Sequence, residues 1–364
     1  MTTLYKQNKN KSIQQWSIRT VPDGKYEVIF GQLGGAMQRQ VTQCTGKNLG
    51  KANETTPEQQ AELEVQSIIT KKRKSGYVDD QSGKSDIRLP MKVKSYQDQL
   101  HNITFPCYSQ FKYNGVNGLY RRVDNKLTLY SRGGEVYPVI SHLEQAINAI
   151  MDELNCTELN GELYIHNTPL QDIQSAVTKP NELSPRLTFI IFDIADDQST
   201  FETRYTKLQS LWQTLTLIGS PHLNYIGLPN TVVCNSTDDI EAHYNKAMSQ
   251  NYEGTVIKLP HGLYKHNIRS SEQFKYKKAL SAEFLIASYE LDKRDHPVFI
   301  LNTGTQFFKA KPKGTHEYLA SINPQDYVNQ WATCEYETIS KSGIPLKPIF
   351  IGLRKCDKSG NPLE

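Results

Sequence analysis

Apolar and polar residues alternate in two short segments near the start of the chain, residues 14–19 and 25–30, with a Pro-Asp-Gly turn between them. Alternation with a period of two predicts strands, and the turn predicts that they form a hairpin. Thr56 followed by Pro57 predicts the start of a helix, because threonine is a good cap and proline is favoured in the first turn. We therefore expect a small α+β module over residues 1–85.

The rest of the chain has two regions with different patterns. Residues 86–280 mix short apolar strands with two or three helices, whereas the region from residue 281 is strand-rich. Five short strands in about 80 residues predict a small barrel. In the middle region, strands are predicted at 127–130, 187–192 and 255–258, and helices at 140–154 and 204–217. In the last region, strands are predicted at 282–289, 297–302, 306–309, 333–339 and 349–353.

Composition narrows the class of protein. The chain has 364 residues, of which 37% are hydrophobic and 22% charged, as in globular proteins. It has no apolar run long enough for a membrane span and no apolar leader, so we expect an intracellular protein without a membrane partner. Its six cysteines form no CxxC pair, which argues against zinc sites and disulfide frameworks. The net charge of +4 is compatible with a polyanionic partner.

Polar residues in the middle region form six short motifs in a fixed order. Each motif alone has an ordinary structural explanation, such as a surface lysine, a hairpin turn or a core strand, but the ordered set is specific. Glu162 lies between apolar residues, where a carboxylate is costly unless it meets a cation or a donor. Strand alternation places Thr255 and Ile257 on the face of Glu253, and predicts Lys258 on the opposite face. The motifs occupy residues 110–117, 131–134, 159–164, 189–194, 253–258 and 274–277.

This ordered set resembles the signature of the covalent nucleotidyltransferases, which are DNA ligases, RNA ligases and mRNA capping enzymes. The closest resemblance is to ATP-dependent DNA ligases of the small viral or bacteriophage type, and it covers about residues 86–360. The first 85 residues resemble a WGR-type DNA-binding module through Trp16 and Gly31. The family patterns KxDGxR, SRxG, the DGE type, FD, EGxVxK and KxK resemble residues 112–117, 131–134, 160–162, 192–193, 253–258 and 275–277, respectively.

The resemblance implies an α+β fold with three parts. Residues 86–280 would form the nucleotidyltransferase domain, of the ATP-grasp-like ligase type, and residues 281–364 an OB-fold barrel. Residues 1–85 would strengthen DNA binding without carrying chemistry. The implied activity is sealing of nicks in duplex DNA by a monomeric enzyme, in the cytoplasm of a bacterial or phage-infected cell, during DNA replication, repair or recombination.

The resemblance also implies roles for site residues. Lys112 would attack ATP and hold AMP covalently, and Glu253, Lys275 and Lys277 would complete the catalytic set. A lysine amine attacks phosphorus only when unprotonated, so neighbouring cations or a metal must activate it. Mg²⁺ would be held by Glu162 and Glu253, since carboxylate oxygens suit this ion. The implied ATP-binding residues are Gln110, Lys112, Asn117, Arg132, Glu162, Phe192, Lys258, Lys275 and Lys277.

Particular contacts follow from those roles. Phe192 would stack on adenine, with Phe189 as the fallback. Gln110 and the main chain near it would read the edge of the base, and Arg132 would meet the 5′-phosphate side of the nick.

Two positions depart from the DNA-ligase pattern, because Asn114 replaces the usual aspartate and Asn117 the usual arginine. The sequence Lys-x-x-Gly-x-Asn is closer to one class of RNA ligases, which keeps an RNA ligase as the alternative. For the ribose of ATP, we expect that Asn117 contacts it or that Arg121 or Arg122 substitutes. A GTP-dependent capping enzyme and a non-enzymatic DNA-binding protein are further alternatives that fit the motifs and their spacing less well.

Overall fold

The computed structural model describes residues 1–8, 10–84, 88–340 and 342–363. The chain divides into two compact units, Met1–Tyr276 and Lys277–Glu364. The predicted boundary between residues 280 and 281 lies close to this division. The predicted boundary between residues 85 and 86 falls outside the described residues.

The N-terminal module is an antiparallel sheet covered on one face by a helix. The sheet order is β1-β2-β3-β4. Val65 and Ile69 of the helix pack on Leu4, Trp16 and Ile18 of the sheet, so this module has its own hydrophobic core. The predicted hairpin and helix are confirmed, and two strands that the alternation did not reveal flank the hairpin. The elements are β1 Thr2–Gln7, β2 Ile13–Val21, β3 Lys25–Gln32, β4 Met37–Gln43 and α1 Pro57–Lys74.

Helix α1 begins where the sequence predicts. The Thr56 side chain accepts a hydrogen bond from the backbone N–H of Gln59, and the Gln59 side chain accepts one from the N–H of Thr56. This reciprocal cap satisfies two backbone donors that the first turn leaves unpaired. The last turn carries four basic residues, which interact favourably with the negative end of the helix dipole.

Two five-stranded sheets follow within the first unit. The first has the order β11-β10-β9-β7-β8 and the second the order β12-β6-β13-β14-β5. The strands are β5 Lys92–Ser95, β6 Cys107–Lys112, β7 Val116–Val123, β8 Lys126–Ser131, β9 Glu158–Tyr164, β10 Thr188–Ile194, β11 Ile226–Gly227, β12 Thr231–Cys234, β13 Gly254–Lys258 and β14 Arg269–Tyr276. The helices are α2 Ser141–Leu154, α3 Leu170–Thr178, α4 Phe201–Leu217 and α5 Thr237–Ser249.

Helices cover one face of each sheet. Apolar residues of α2, α3 and α4 join the core on one face of the first sheet, and α5 packs on the second. Since side chains alternate between faces, the residues between those core positions point away from the helices. The helix-free faces approach each other, because Lys258 on β13 donates to the carbonyl of Phe192 on β10. The cleft between these two faces contains the candidate site.

The second unit is built around a closed barrel with strand order β15-β16-β17-β21-β18. Its core contains Phe299, Phe308 and Phe350. The predicted small barrel is confirmed, although the strand predicted at 333–339 is divided between β18 and β19. The elements are β15 Leu280–Leu291, β16 Pro297–Asn302, β17 Phe307–Pro312, α6 His316–Ser321, β18 Trp331–Tyr336, β19 Thr338–Ile339, β20 Pro345–Leu346 and β21 Ile349–Leu353.

Helix content in the middle region exceeds the prediction of two or three, because α2 to α5 make four in the part that the structure describes. The sequence does contain a pattern that predicts the start of helix α5. Ser236 caps it, and Asp239 completes the reciprocal hydrogen bonds of a capping box. Within the described residues, no helix is both long and apolar enough to span a bilayer.

Candidate active site

Lys112 ends β6, and its ammonium group contacts the carboxylate of Glu253. The backbone reinforces this pairing, because the N–H of Glu253 donates to the carbonyl of Lys112 at 2.9 Å. Gly254 follows with φ +141°, and a Cβ atom there would lie 2.3 Å from the carbonyl oxygen of Tyr276. A side chain at this position would therefore disturb the approach of Glu253 to Lys112.

Glu162 lies on β9, opposite Asn117 on β7. Burial raises the pKa of the Glu162 carboxyl to about 7, and the neighbouring Glu253 carboxylate also raises it. Lys112, the backbone N–H of Gly115 and Arg132 act in the opposite direction. Lys112, Glu162 and Glu253 are thus brought together, and the two carboxyl groups are close enough to oppose each other's ionisation.

Two buried amides have polar atoms without a hydrogen-bond partner among the described residues, the Nε2 atom of Gln110 and the Oδ1 atom of Asn117. Gln110 is on the same face of β6 as Lys112. Asn117 uses its Nδ2 atom to donate to the carbonyl of Gly161 at 3.4 Å. Unpaired buried amides are rare in proteins and favour a polar ligand. The cleft therefore fits a ligand that has hydrogen-bonding groups of its own.

Lys275 on β14 is opposite Val256 on β13, which is in turn opposite Gln110 on β6. This register places Lys275 on the cleft face with Gln110. Lys277 is the first residue of the second unit, and its Nζ atom lies 4.0 Å from a carboxylate oxygen of Glu337. The two lysines of this motif therefore belong to different compact units.

Lys258 lies on the cleft face of β13 with Lys112, because Gly254 is opposite Lys112 and Val256 opposite Gln110. Alternation predicted Lys258 on the face opposite Glu253, but Glu253 precedes the strand, so its carboxylate also reaches Lys112. Lys258 lies at the other end of β13, where its Nζ atom donates to the Phe192 carbonyl at 2.8 Å.

A buried ionic network surrounds Lys258. Its Nζ atom is 3.2 Å from the Asp193 carboxylate, and the Arg204 guanidinium donates to the same carboxylate at 2.7 Å. All three side chains are at most 3% exposed. Burial lowers the pKa of Lys258 to about 8, and Asp193 opposes that shift.

A β-bulge sets the positions of the two aromatic candidates for base stacking. The register of β10 against β9 shifts between Ile191 and Asp193, so Phe192 is the extra residue. Phe192 is half-buried at the cleft, with the Lys258 ammonium 5.3 Å from its ring centre. The fallback assignment of Phe189 is wrong, because Phe189 is completely buried in the helix-side core, edge-on to Tyr120.

The arginines near the site occupy different surroundings. Arg132 is exposed in the turn after β8, where the Ser131 hydroxyl accepts from two backbone N–H groups of the turn. Arg122 is paired with Asp152 on α2, on the helix side of the sheet, so it is wrong as a substitute for Asn117. Arg121 is on the cleft face but is paired with Glu158 at 2.9 Å.

Sequence reasoning missed a cluster of rings beside the candidate catalytic residues. Tyr113 follows Lys112, Tyr252 precedes Glu253, and Tyr164 is two residues beyond Glu162. The Tyr113 ring centre is 4.9 Å from those of both Tyr164 and Tyr252. We call these three residues the tyrosine cluster. The adjacency of each tyrosine to a motif residue was the only available signal.

Two carboxylates suit a magnesium ion at this site. The described residues include no group of three or more His, Cys, Asp or Glu side chains that could hold a metal ion. Mg²⁺ commonly binds one or two carboxylates and takes its other ligands from water and substrate phosphates. The Glu162 and Glu253 pair fits this pattern, and the raised pKa of Glu162 indicates a site that would favour a cation.

Comparisons with known proteins identify the family of this chain. Residues 89–277 match the family described as the ATP dependent DNA ligase domain. The chain is 25% identical to the DNA ligase of African swine fever virus, isolate Pig/Kenya/KEN-50/1950, over 90% of this chain and 83% of that protein. It is 24% identical, with the same coverage, to the DNA ligase of isolate Warthog/Namibia/Wart80/1980.

Solved structures support the fold. The structure of Pmar-Lig_PreS3 has a TM-score of 0.63 at 16% identity, covering 82% of this chain and 73% of that one. A Lig E DNA ligase structure has a TM-score of 0.58 at 17% identity, covering 74% of this chain and all of the other. These likenesses agree with the α+β nucleotidyltransferase fold followed by a barrel. Since the family match covers more than half of its length, the chain belongs to the ATP-dependent DNA ligases.

Proposed function

We propose that Lys112 attacks the α-phosphate of ATP and carries AMP as a lysyl phosphoramidate, which the enzyme uses to seal nicks in duplex DNA. The observation that carries this proposal is the contact between the Lys112 ammonium and the Glu253 carboxylate. The N–P bond forms as the bond to pyrophosphate breaks, and pyrophosphate leaves with the electron pair. Glu253 is within reach to accept the proton that the amine releases.

Sealing then takes two further transfers. An oxygen of the 5′-phosphate at the nick attacks the phosphorus of lysyl-AMP, and the Lys112 amine leaves. The 3′-hydroxyl next attacks the activated 5′-phosphate, forming the phosphodiester and releasing AMP. Arg132 is exposed beside the cleft, and its planar guanidinium suits a phosphate of the nicked strand.

The other site residues would hold the nucleotide. Gln110 would bind the edge of adenine and Phe192 its face, while Asn117 would contact the ribose. Lys258 would act through Phe192, since its ammonium fixes both the carbonyl and the ring of that residue. The lysines at 275 and 277 would neutralise charge on the phosphates.

Glu162 and Glu253 would hold magnesium. A magnesium ion bound there would neutralise the phosphate oxygens and polarise the α-phosphorus. The carboxylates themselves position that charge beside Lys112, and Glu253 also orients the amine. We further propose that the enzyme acts as a monomer on nicked duplex DNA.

Labelled ATP followed by a denaturing gel tests the first step. The wild-type protein should become labelled, and Lys112→Ala should not, whereas Lys126→Ala, which changes an exposed lysine at the start of β8, should label normally. An acid-labile AMP adduct in Lys112→Ala would refute the assignment. Labelled GTP should give no adduct.

The choice of polynucleotide needs a separate assay. Nicked DNA and nicked RNA duplexes of the same sequence should be compared, because Asn117 departs from the DNA-ligase pattern. We expect faster sealing of DNA. Preferential sealing of RNA would overturn the DNA assignment while leaving the role of Lys112 intact.

A further inference from the structure

Positive charge is concentrated in the N-terminal module. Residues 1–84 contain 13 of the 42 lysines and arginines but only eight of the 38 acidic residues. This segment therefore has a net charge of +5, and the rest of the chain has a net charge of −1. The net charge of +4 for the whole chain is thus the sum of a basic module and a nearly neutral remainder.

The charge within the module is further divided between its two ends. Helix α1 ends in four basic residues. The turn between β1 and β2, which carries Lys11, is near that end, because Tyr77 just beyond the helix donates to the Gln14 side chain at the start of β2 at 2.6 Å. Lys6 joins them, because its ammonium donates to the carbonyl of Ser75 at 2.6 Å. We call Lys6, Lys11, Lys71 and Lys72 the basic end. Outside the basic end, acidic residues lie in the sheet and its turns, in the first half of the helix, and in the segment before the helix. They are Asp23, Glu27, Glu54, Glu58, Glu62 and Glu64.

Two basic residues of the last turn already have acidic partners. Arg73 forms two hydrogen bonds with Asp79, and Lys74 contacts the carboxylate of Glu135. Within the described parts of the chain, the four lysines of the basic end form no ion pair. Clustered surface cations without acidic partners are typical of a polyanion-binding site.

Lys72 has a second feature. Its ammonium lies 5.1 Å from the Trp16 ring centre and 4.6 Å from that of Tyr77. The pKa of Lys72 is lowered, mainly by burial and also by the nearby Lys6. The fold holds the ammonium groups of Lys6 and Lys72 close together. A bound anion would reduce the repulsion between them.

The contact between Lys74 and Glu135 fixes where the basic end lies. Glu135 directly follows the turn that exposes Arg132, and its N–H donates to the Ser131 hydroxyl of that turn at 2.9 Å. The basic end is therefore next to the residue proposed to meet the 5′-phosphate side of the nick.

We propose that the basic end binds the sugar-phosphate backbone of the duplex flanking the nick, on the side that Arg132 faces. This inference rests on the proposed function, because that function supplies the duplex. Lysines on flexible stems suit backbone phosphates, which position a protein on DNA without reading its sequence. The module would thereby extend the footprint of the catalytic region along the DNA.

A charge-matched pair of variants tests this surface. Lys6→Gln/Lys11→Gln/Lys71→Gln removes three charges from the basic end, and Lys25→Gln/Lys47→Gln/Lys51→Gln removes three elsewhere in the module. Affinity for a nicked duplex should be measured by anisotropy between about 0.05 and 0.2 M salt. The basic-end variant should bind at least about 10-fold more weakly at the low-salt limit, with a salt slope smaller by up to about 3. The control should bind like wild type.

A double variant and trimmed duplexes complete the test. Since Lys6 also caps α1, Lys11→Gln/Lys71→Gln should show a smaller loss of the same kind, with unchanged thermal unfolding. Trimming the duplex on the 5′-phosphate side should abolish the difference between wild type and variant, whereas trimming the other side should preserve it. Equal losses in the control variant, or no loss in the basic-end variant, would overturn the proposal.

Failure of this proposal is distinguishable from failure of the proposed function. If only the basic-end assignment is wrong, both triple variants will still form the Lys112 adduct and seal at wild-type rates. If the function is wrong, wild-type protein will acquire no label from ATP at all.

Discussion

The carboxyl group of Glu162 changes charge in the pH range where the enzyme would be assayed. Burial raises its pKa to about 7, so the group is largely protonated at pH 6 and ionised at pH 8. Only the ionised form is a good ligand for magnesium. Adenylylation at limiting magnesium should therefore rise as the pH increases through about 7. Glu162→Gln should be slow and should lack this inflection, which label transfer at several pH values would reveal.

The raised pKa of Glu162 also makes the free energy of unfolding depend on pH. The folded pKa of about 7 is above the ordinary glutamate value of 4.5, so between these pH values the folded protein holds this proton and the unfolded chain does not. The contribution of Glu162 to the free energy of unfolding therefore declines as pH rises across this range. Glu162→Gln, which stays uncharged, should gain stability relative to wild type from pH 5 to pH 8. Parallel stability curves in urea would contradict this.

Single residues differed in how far the sequence could predict them. Glu162 stood out because a carboxylate within an apolar strand requires a partner, and the structure places it beside Lys112. Lys258 was harder, because its face depends on where β13 begins relative to Glu253. The pairing of Asp193 with Lys258 depends on the bulge at Phe192. Neither the start of β13 nor this bulge follows from alternation.

Among the elements, the tyrosine cluster connects three segments that carry candidate site residues. Tyr252 is its centre, since its ring also lies 4.8 Å from Phe111 and 5.1 Å from His166. The cluster thereby fixes the end of β6, the end of β9 and the residue before Glu253 relative to one another. We infer that Tyr252 is a positioning residue for Glu253.

Truncating this ring should impair chemistry more than folding. Tyr252→Ala should slow adenylylation at saturating ATP by about 10- to 100-fold, as expected for small displacements of catalytic groups. It should also raise the magnesium concentration that adenylylation requires. Tyr252→Phe should restore most of the rate, because the ring contacts remain. Tyr225→Ala, which removes a ring that contacts His142 outside the motifs, is the control. Equal rate losses in both alanine variants would refute a positioning role.

The buried network of Asp193, Arg204 and Lys258 connects β10, α4 and β13, so its removal should destabilise the fold. Asp193→Asn leaves two buried cations without a full counter-charge, and should lower the free energy of unfolding by about 3–5 kcal/mol. Asp152→Asn, which breaks an exposed pair with Arg122, should change it by about 0–1 kcal/mol. Urea unfolding compares the two. Equal losses would contradict the burial argument.

At the scale of the whole molecule, the sequence predicted the order of parts better than the number of elements. The C-terminal barrel followed from regularly spaced strands, and the helix of the first module followed from Thr56 and Pro57. The exposed strand β4 has little apolar alternation, and α3 is short, so local pattern revealed neither. The pairing of two sheets around a cleft depends on contacts distant in sequence, such as Lys112 with Glu253, which only the family resemblance implied.

The N-terminal module should be separable from the chemistry. Its core is made by residues between Leu4 and Tyr77 and is distinct from the cores beneath the two catalytic sheets. Deleting residues 1–84 retains Arg88, which lies 3.4 Å from the Glu158 carboxylate, so the cleft should stay intact. Lysyl-AMP formation should therefore remain within about 2-fold of wild type, a change of less than about 0.5 kcal/mol in the activation barrier.

DNA binding by this truncated enzyme should behave differently. Removing a net charge of +5 should weaken binding to nicked duplex most at low salt, and the deficit should narrow as salt rises, because fewer counterions are released. Anisotropy titrations at several salt concentrations measure this, with circular dichroism as the check on folding. A folded truncated protein that cannot form lysyl-AMP would show that the module contributes to the chemistry. A deficit in affinity that is constant across salt would show that its contacts with DNA are not electrostatic.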